Sequence, residues 1–273
     1  MIRPRPRLPL PVRPKRPMKE ANVTIAIGVR TNDGVVLASD SQHTVSGYIK
    51  TDDGKVRTTI FHDFGHVFAI TGAGSSDYIR MAMDKSLEGV DELNDFTEIA
   101  AKLEQNLLAF FDNHLSRWAS FSDADRPTVE LLIALSMKSG PFGLFHYSGT
   151  SFNRVSSKAI GAGILLANNL LQDFVSASST LDQATSAVTY IIWKVKKQVD
   201  SCGGFTDLVA LRAKGDFALT DSKAIEKAEA DLTKIDREAT GALKKNVETE
   251  IINLSWHSEY SRKKKPDKKE EKL

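Results

Sequence analysis

Residues Thr24–Thr44 read TIAIGVRTNDGVVLASDSQHT, and the reading of this stretch decides the fold. Two β-prone runs, TIAIGVR and VVLASD, flank a turn at Thr31-Asn32-Asp33-Gly34. Turn residues of this kind tolerate positive φ, so the stretch is expected to form a hairpin of two largely buried strands. Its ends carry two polar residues that burial alone does not explain, Thr24 before the first strand and Asp40 at the end of the second.

Working outward, KVRTTIF and HVFAITG read as two further antiparallel strands around a turn at His62–Gly65. The period then changes: Ile79, Met83 and Leu87, followed by Ile99, Leu103, Leu107, Phe110 and Phe111, recur at helical spacing and predict two amphipathic helices. Strand composition returns in VELLIALSM, PFGLFHYS and TSFNRVSSKAIG. Two helices are expected over GILLANNLLQDFV and LDQATSAVTYIIWKVKKQV, then strands DLVALRA and DFALT around Lys214-Gly215. Strands and helices that come in groups, instead of alternating, argue for an α+β class. If each sheet buries one face on the other and its second face under a helix pair, the result is a four-layer αββα sandwich.

The expected organisation is a basic Pro/Arg-rich arm or propeptide over 1–23, one domain over 24–221, an amphipathic charged helix over 222–250 and a basic, disordered tail over 251–273. The helix carries a thin stripe of Ile225, Ala228, Leu232, Ile235, Ala239 and Ala242, close to a heptad seam that suits docking on a neighbour or a solvated surface. The formal net charge of +2 divides into +6 over residues 1–17, +4 from Arg262 onward and −8 between them. An acidic body and basic ends without interleaved aromatics argue against a nucleic-acid partner.

No apolar run approaches the roughly 18–20 residues of a membrane span, so no membrane partner is expected. The single cysteine, Cys202, excludes an internal disulfide framework and fits a reducing, cytoplasmic address. The six histidines show no metal-ligand spacing beyond a chance i, i+4 pair at His62 and His66, and no phosphate loop, HExxH or GxSxG occurs. Neither a metal nor an organic cofactor is expected.

What remains for chemistry is Thr24 with Asp40 and Lys55. A threonine hydroxyl needs a base. An α-amino group on the same residue, with a pKa of about 7.7–8.0, can serve once it is free. A nearby cation depresses that pKa, and a carboxylate holds the cation; Asp40 and Lys55 flank neighbouring strand ends and suit those parts.

At these residues the sequence resembles a known family. Thr24, GVVLASDSQHT with Asp40, GKVR with Lys55, ITGAGSSD, AIGAG and VDSCGG with Asp200 together look like the proteasome-type threonine peptidases, the proteasome β subunits and their bacterial ring-forming relatives. The resemblance covers about residues 24–220. It implies the Ntn hydrolase fold, the same αββα sandwich, and peptide-bond hydrolysis by Thr24 with its own amine as base after removal of residues 1–23. Lys55, held by Asp40, would tune that pair; Ala73 and Gly74 in the Gly72-Ala73-Gly74 turn would offer backbone N–H groups to the oxyanion; Asp200 would support the site from behind. It further implies a homo-oligomer of stacked rings, polypeptide substrates and room for an unfoldase partner. Three positions depart from the family pattern: Ala162 and Gly203 stand where serines are common, and Val23 stands where a glycine commonly precedes the nucleophile. Those departures leave open a non-catalytic ring subunit; an amidase of the same fold acting on a small molecule is a third reading.

Overall fold

The computed structural model describes residues 24–45, 49–52, 54–63, 65–117, 126–219 and 221–262. The arm over 1–23 and the tail beyond 262 lie outside them. The chain divides after Ser222 into two compact units.

The first unit is the expected sandwich. The opening hairpin forms as β1 (Ile25–Arg30) and β2 (Gly34–Asp40), with Ala26 opposite Ser39 and Val29 opposite Val36. Its turn differs from expectation, because none of Asn32, Asp33 and Gly34 has positive φ. The Thr31 N–H donates to Gly34 O at 2.8 Å and the Thr31 hydroxyl to Asp33 Oδ1 at 2.8 Å, so side-chain bonding closes the turn. Asp33 Oδ1 also accepts from Leu181 N–H at 2.8 Å and so reaches the first turn of a distant helix.

A small hairpin, β3 (Gln42–Val45) and β4 (Ile49–Asp52), stands apart as a two-stranded sheet that the sequence pattern did not reveal. Next come β5 (Arg57–Phe61), β6 (His66–Gly74), helices α1 (Ser76–Ser86) and α2 (Phe96–Phe110), and strands β7 (Val129–Met137) and β8 (Phe142–Ser148). A π-helical turn over Phe111–Leu115 prolongs α2. The run expected as one strand, TSFNRVSSKAIG, is two: β9 (Ser151–Arg154) and β10 (Ser157–Gly161). They pair with β8 and β1 respectively, so this run carries the chain from one sheet to the other. Helices α3 (Ile164–Phe174) and α4 (Leu181–Gln198) and strands β11 (Thr206–Arg212) and β12 (Phe217–Leu219) complete the unit. Thr180 and Gln183 form a capping box at the start of α4, which satisfies donors that a helix N-terminus leaves open.

The first sheet has the order β10-β1-β2-β11-β12 and the second β5-β6-β7-β8-β9, both antiparallel. Alternation along each strand sends one set of side chains between the sheets and the other under the helices. Ala26, Leu37, Ala69, Ala73, Leu132, Ala134 and Leu144 fill the layer between the sheets. Phe68, Ile70, Leu131 and Ile133 face Ile99, Leu103 and Leu107 of α2. Helices α3 and α4 cover the outer face of the first sheet. This is the four-layer αββα arrangement.

The second unit is built on one helix, α5 (Ser222–Arg262), continuous past the end at 250 that the pattern suggested. Ile235 of its apolar stripe is 61% exposed. Among the described residues no helix is long and apolar enough to cross a membrane.

Candidate functional site

Thr24 immediately precedes β1, Asp40 ends β2, and Lys55 lies on the segment that enters β5. The first two belong to one sheet and the third leads into the other, so only the closed sandwich brings them together. They are 7%, 0% and 9% exposed respectively. Lys55 Nζ donates to Thr24 Oγ1 at 2.8 Å, to Asp40 Oδ1 at 2.9 Å and to the backbone oxygen of Gln42. An ammonium carries three donors and no acceptor, so the hydroxyl of Thr24 is the acceptor in this contact and its own proton points elsewhere.

Asp40 is bound from three sides. Oδ1 accepts from Lys55 and from the Ile25 N–H at 3.1 Å, and Oδ2 accepts from the Gly203 N–H at 2.9 Å. Burial pushes its carboxyl above the ordinary range, while Lys55 and the backbone donors pull the other way. The surrounding segment is stitched to the chain after α4: Ser41 N–H donates to Phe205 O at 2.9 Å, Phe205 N–H to Ser41 Oγ at 2.8 Å, and Gln42 N–H to Gly203 O at 3.2 Å. Cys202, 4% exposed, lies beside Asp40, and burial first and that carboxylate second push its thiol up to about 12. Burial thus keeps Cys202 a neutral thiol next to the carboxylate.

Two glycines bring backbone up to the threonine. Gly161 has φ +98°, and a Cβ there would lie 2.0 Å from Thr24 O and 3.3 Å from the Ala73 Cβ. Glycine at 161 therefore lets β10 close on Thr24, with the Ala162 N–H donating to Thr24 O at 2.7 Å. The same geometry sets Ala73, from the end of β6, beside Gly161 and Thr24. Gly74 has φ +128° and packs on Thr128 O, where a Cβ would lie at 2.1 Å. Ala73 and Gly74 thus sit where β6 turns into α1. Asp200 is exposed on the turn after α4, and it is the backbone of Gly203, three residues on, that reaches Asp40.

Sequence reasoning brought out Thr24, Asp40 and Lys55 but not Gln42, whose carbonyl binds Lys55. Nothing in a residue's type announces a backbone role. Gly203 was visible only as a glycine where a serine is common. Among the described residues no cluster of His, Cys, Asp and Glu has the grouping to hold a metal ion.

Comparison with known proteins bears on the family and the fold. The Proteasome family, described as proteasome subunit, matches residues 21–210, and the chain belongs to that family. No curated protein matches by sequence. Among solved structures, "Anbu (ancestral beta-subunit) from Yersinia bercovieri" superposes with a TM-score of 0.63 at 14% identity, over 80% of this chain and 96% of that one. The "Helical Assembly of the Anbu Complex from Pseudomonas aeruginosa" gives 0.63 at 12% identity, over 79% and 95%. Anbu from Hyphomicrobium sp. strain MC1 gives 0.60 at 14% identity, over 80% and 97%. At such identities the likeness is one of fold.

Proposed function

We propose that the chain is a threonine peptidase of an oligomeric, ring-forming assembly, with Thr24 as nucleophile once residues 1–23 are removed. The observation that carries this reading is the buried Lys55 ammonium, 2.8 Å from Thr24 Oγ1 and 2.9 Å from Asp40. A buried ion pair is costly and does little for stability that apolar packing could not do, so its place against the Thr24 hydroxyl speaks for chemistry.

In the proposed cycle the freed Thr24 amine takes the hydroxyl proton as Oγ1 attacks a peptide carbonyl. The positive field of Lys55 stabilises the developing alkoxide. Backbone N–H groups of Ala73 and Gly74 receive the oxyanion, where each preorganised donor supplies about 2.7–4 kcal/mol. The amine returns the proton to the leaving nitrogen, and water then hydrolyses the acyl ester on Thr24. Asp40 keeps Lys55 charged and aimed. The substrate is polypeptide, the address cytoplasmic, and an unfoldase is the partner that an enclosed site would need. The Anbu complex from Pseudomonas aeruginosa, a helical assembly of the same fold, supports a homo-oligomer.

A second reading is a non-catalytic subunit of such an assembly, favoured by Val23 before the nucleophile and by Ala162 and Gly203 beside it. The intact mass and N-terminal sequence of the purified native protein separate the two. A chain beginning at Thr24 that cleaves peptides, and loses turnover but not assembly in Lys55→Ala, is expected. A chain that keeps residues before Thr24 and cleaves nothing would sink the peptidase reading.

A further inference from the structure

Gln42 and Gly203 are packed against each other beside the ion pair. The Gln42 side chain is 7% exposed, and its Nε2 is buried with no hydrogen-bond partner. A Cβ on Gly203 would lie 2.4 Å from Gln42 Oε1 and 3.2 Å from Gln42 Cδ, so the carboxamide fills the volume that any side chain at 203 would require. Each residue also holds one half of the ion pair. Gln42 O accepts from Lys55 Nζ, and the Gly203 N–H donates to Asp40 Oδ2 at 2.9 Å. The Gln42 N–H, bonded to Gly203 O at 3.2 Å, closes a ring of four residues: Gln42, Lys55, Asp40 and Gly203. A buried amide N–H without an acceptor is a cost that close packing on Gly203 offsets.

We propose that Gln42 is a positioning residue: by filling the space over Gly203, its carboxamide holds the Gly203 N–H on Asp40 and keeps the Asp40–Lys55 pair aimed at Thr24 Oγ1. A long side chain at 42 and glycine at 203 are then a matched pair, and the reversed combination, small at 42 and a side chain at 203, restores the fit. The kinetic half of this inference rests on the peptidase reading. The packing half does not, so stability and turnover are measured separately.

The test uses the full chain with Gln42→Ala, Gly203→Ser, the double variant and Gln42→Met, reading the thermal midpoint and the hydrolysis of a fluorogenic peptide. Each of the first two alone lowers the midpoint, and a misaimed catalytic group lowers kcat by about 10–100-fold with KM nearly unchanged. The double variant recovers both, a non-additivity that independent sites do not show. Gln42→Met, unbranched and of similar length, rescues what Gln42→Ala loses. Additive losses in the double variant, or Gly203→Ser as stable as the parent, overturn the matched pair. A recovered midpoint without recovered kcat overturns the positioning role, and Gln42→Met with a normal midpoint but lost kcat overturns the role of shape. A parent chain that hydrolyses no peptide defeats the peptidase reading, while the midpoint cycle still decides the packing.

Discussion

Asp40, fully buried, and His146, half-buried, are ionisable groups in the same sandwich, and they meet burial in opposite ways. Asp40, fully buried, keeps a counter-charge, with Lys55 at 2.9 Å and two backbone N–H donors completing its shell. His146 on β8 has a buried Nε2 with no hydrogen-bond partner and lies within reach of the Lys158 charge. Burial first and Lys158 second push its imidazole down to about 4, so it gives up its charge. A neutral ring costs less to bury than an ion, so the two groups meet burial at different cost. On the peptidase proposal, the ion pair held against Thr24 is where that charge is used.

The largest effect is expected from removing the counter-charge. Lys55→Met leaves Asp40 buried beside no cation, and breaking such a pair costs about 3–5 kcal/mol. Urea denaturation at neutral pH measures it, and a change near zero would mean that Asp40 finds solvent the sandwich does not show.

Asp40→Asn tests the other partner through pH. Because the Asp40 carboxyl is raised above 3.8, the folded chain binds more protons than the unfolded one just above that value. Its contribution to stability is therefore fully present below 3.8 and lost as pH rises through the raised value. The asparagine variant lacks that slope, which chemical denaturation across acidic pH measures.

His146 works with the opposite sign. Its folded pKa of about 4 lies below the ordinary 6.5, so its contribution is full above 6.5 and is lost as pH falls toward 4. His146→Gln flattens that part of the profile, by about 1–2 kcal/mol after allowance for partial solvent screening. Lys158→Met acts on the lesser cause alone and raises the imidazole pKa by the smaller share of its displacement, read by NMR titration. The smallest effect belongs to Arg57→Ala, whose exposed pair with Asp84 is worth at most about 1 kcal/mol in the same urea experiment.

Most of the sandwich was legible because its strands and helices carry strong periods. Strand β7, VELLIALSM, and helix α2 with Ile99, Leu103 and Leu107 declare themselves in any window. The hairpin β3–β4 was not legible, since four-residue strands of mixed polarity give no period. The break at Val155-Ser156 between β9 and β10 also escaped the pattern. Both halves of that run have strand composition, and what separates them is that Val155 N–H bonds to Leu144 O of the second sheet while Ser156 O accepts from Arg30 N–H of the first.

By itself the sequence determined the α+β class, the order of the strongly periodic strands and helices, and the three residue types, threonine, aspartate and lysine, on which the proposed site depends. Their nature follows from local chemistry and short spacing. The tertiary structure alone decided that Lys55, entering one sheet, reaches Thr24 and Asp40 on the other. It also decided that the Ala162 N–H, let in by Gly161, and the Gly203 N–H come in from more than a hundred residues away. Such contacts depend on how two sheets stack and where strands close, and no local pattern of side chains encodes the position of a distant backbone amide.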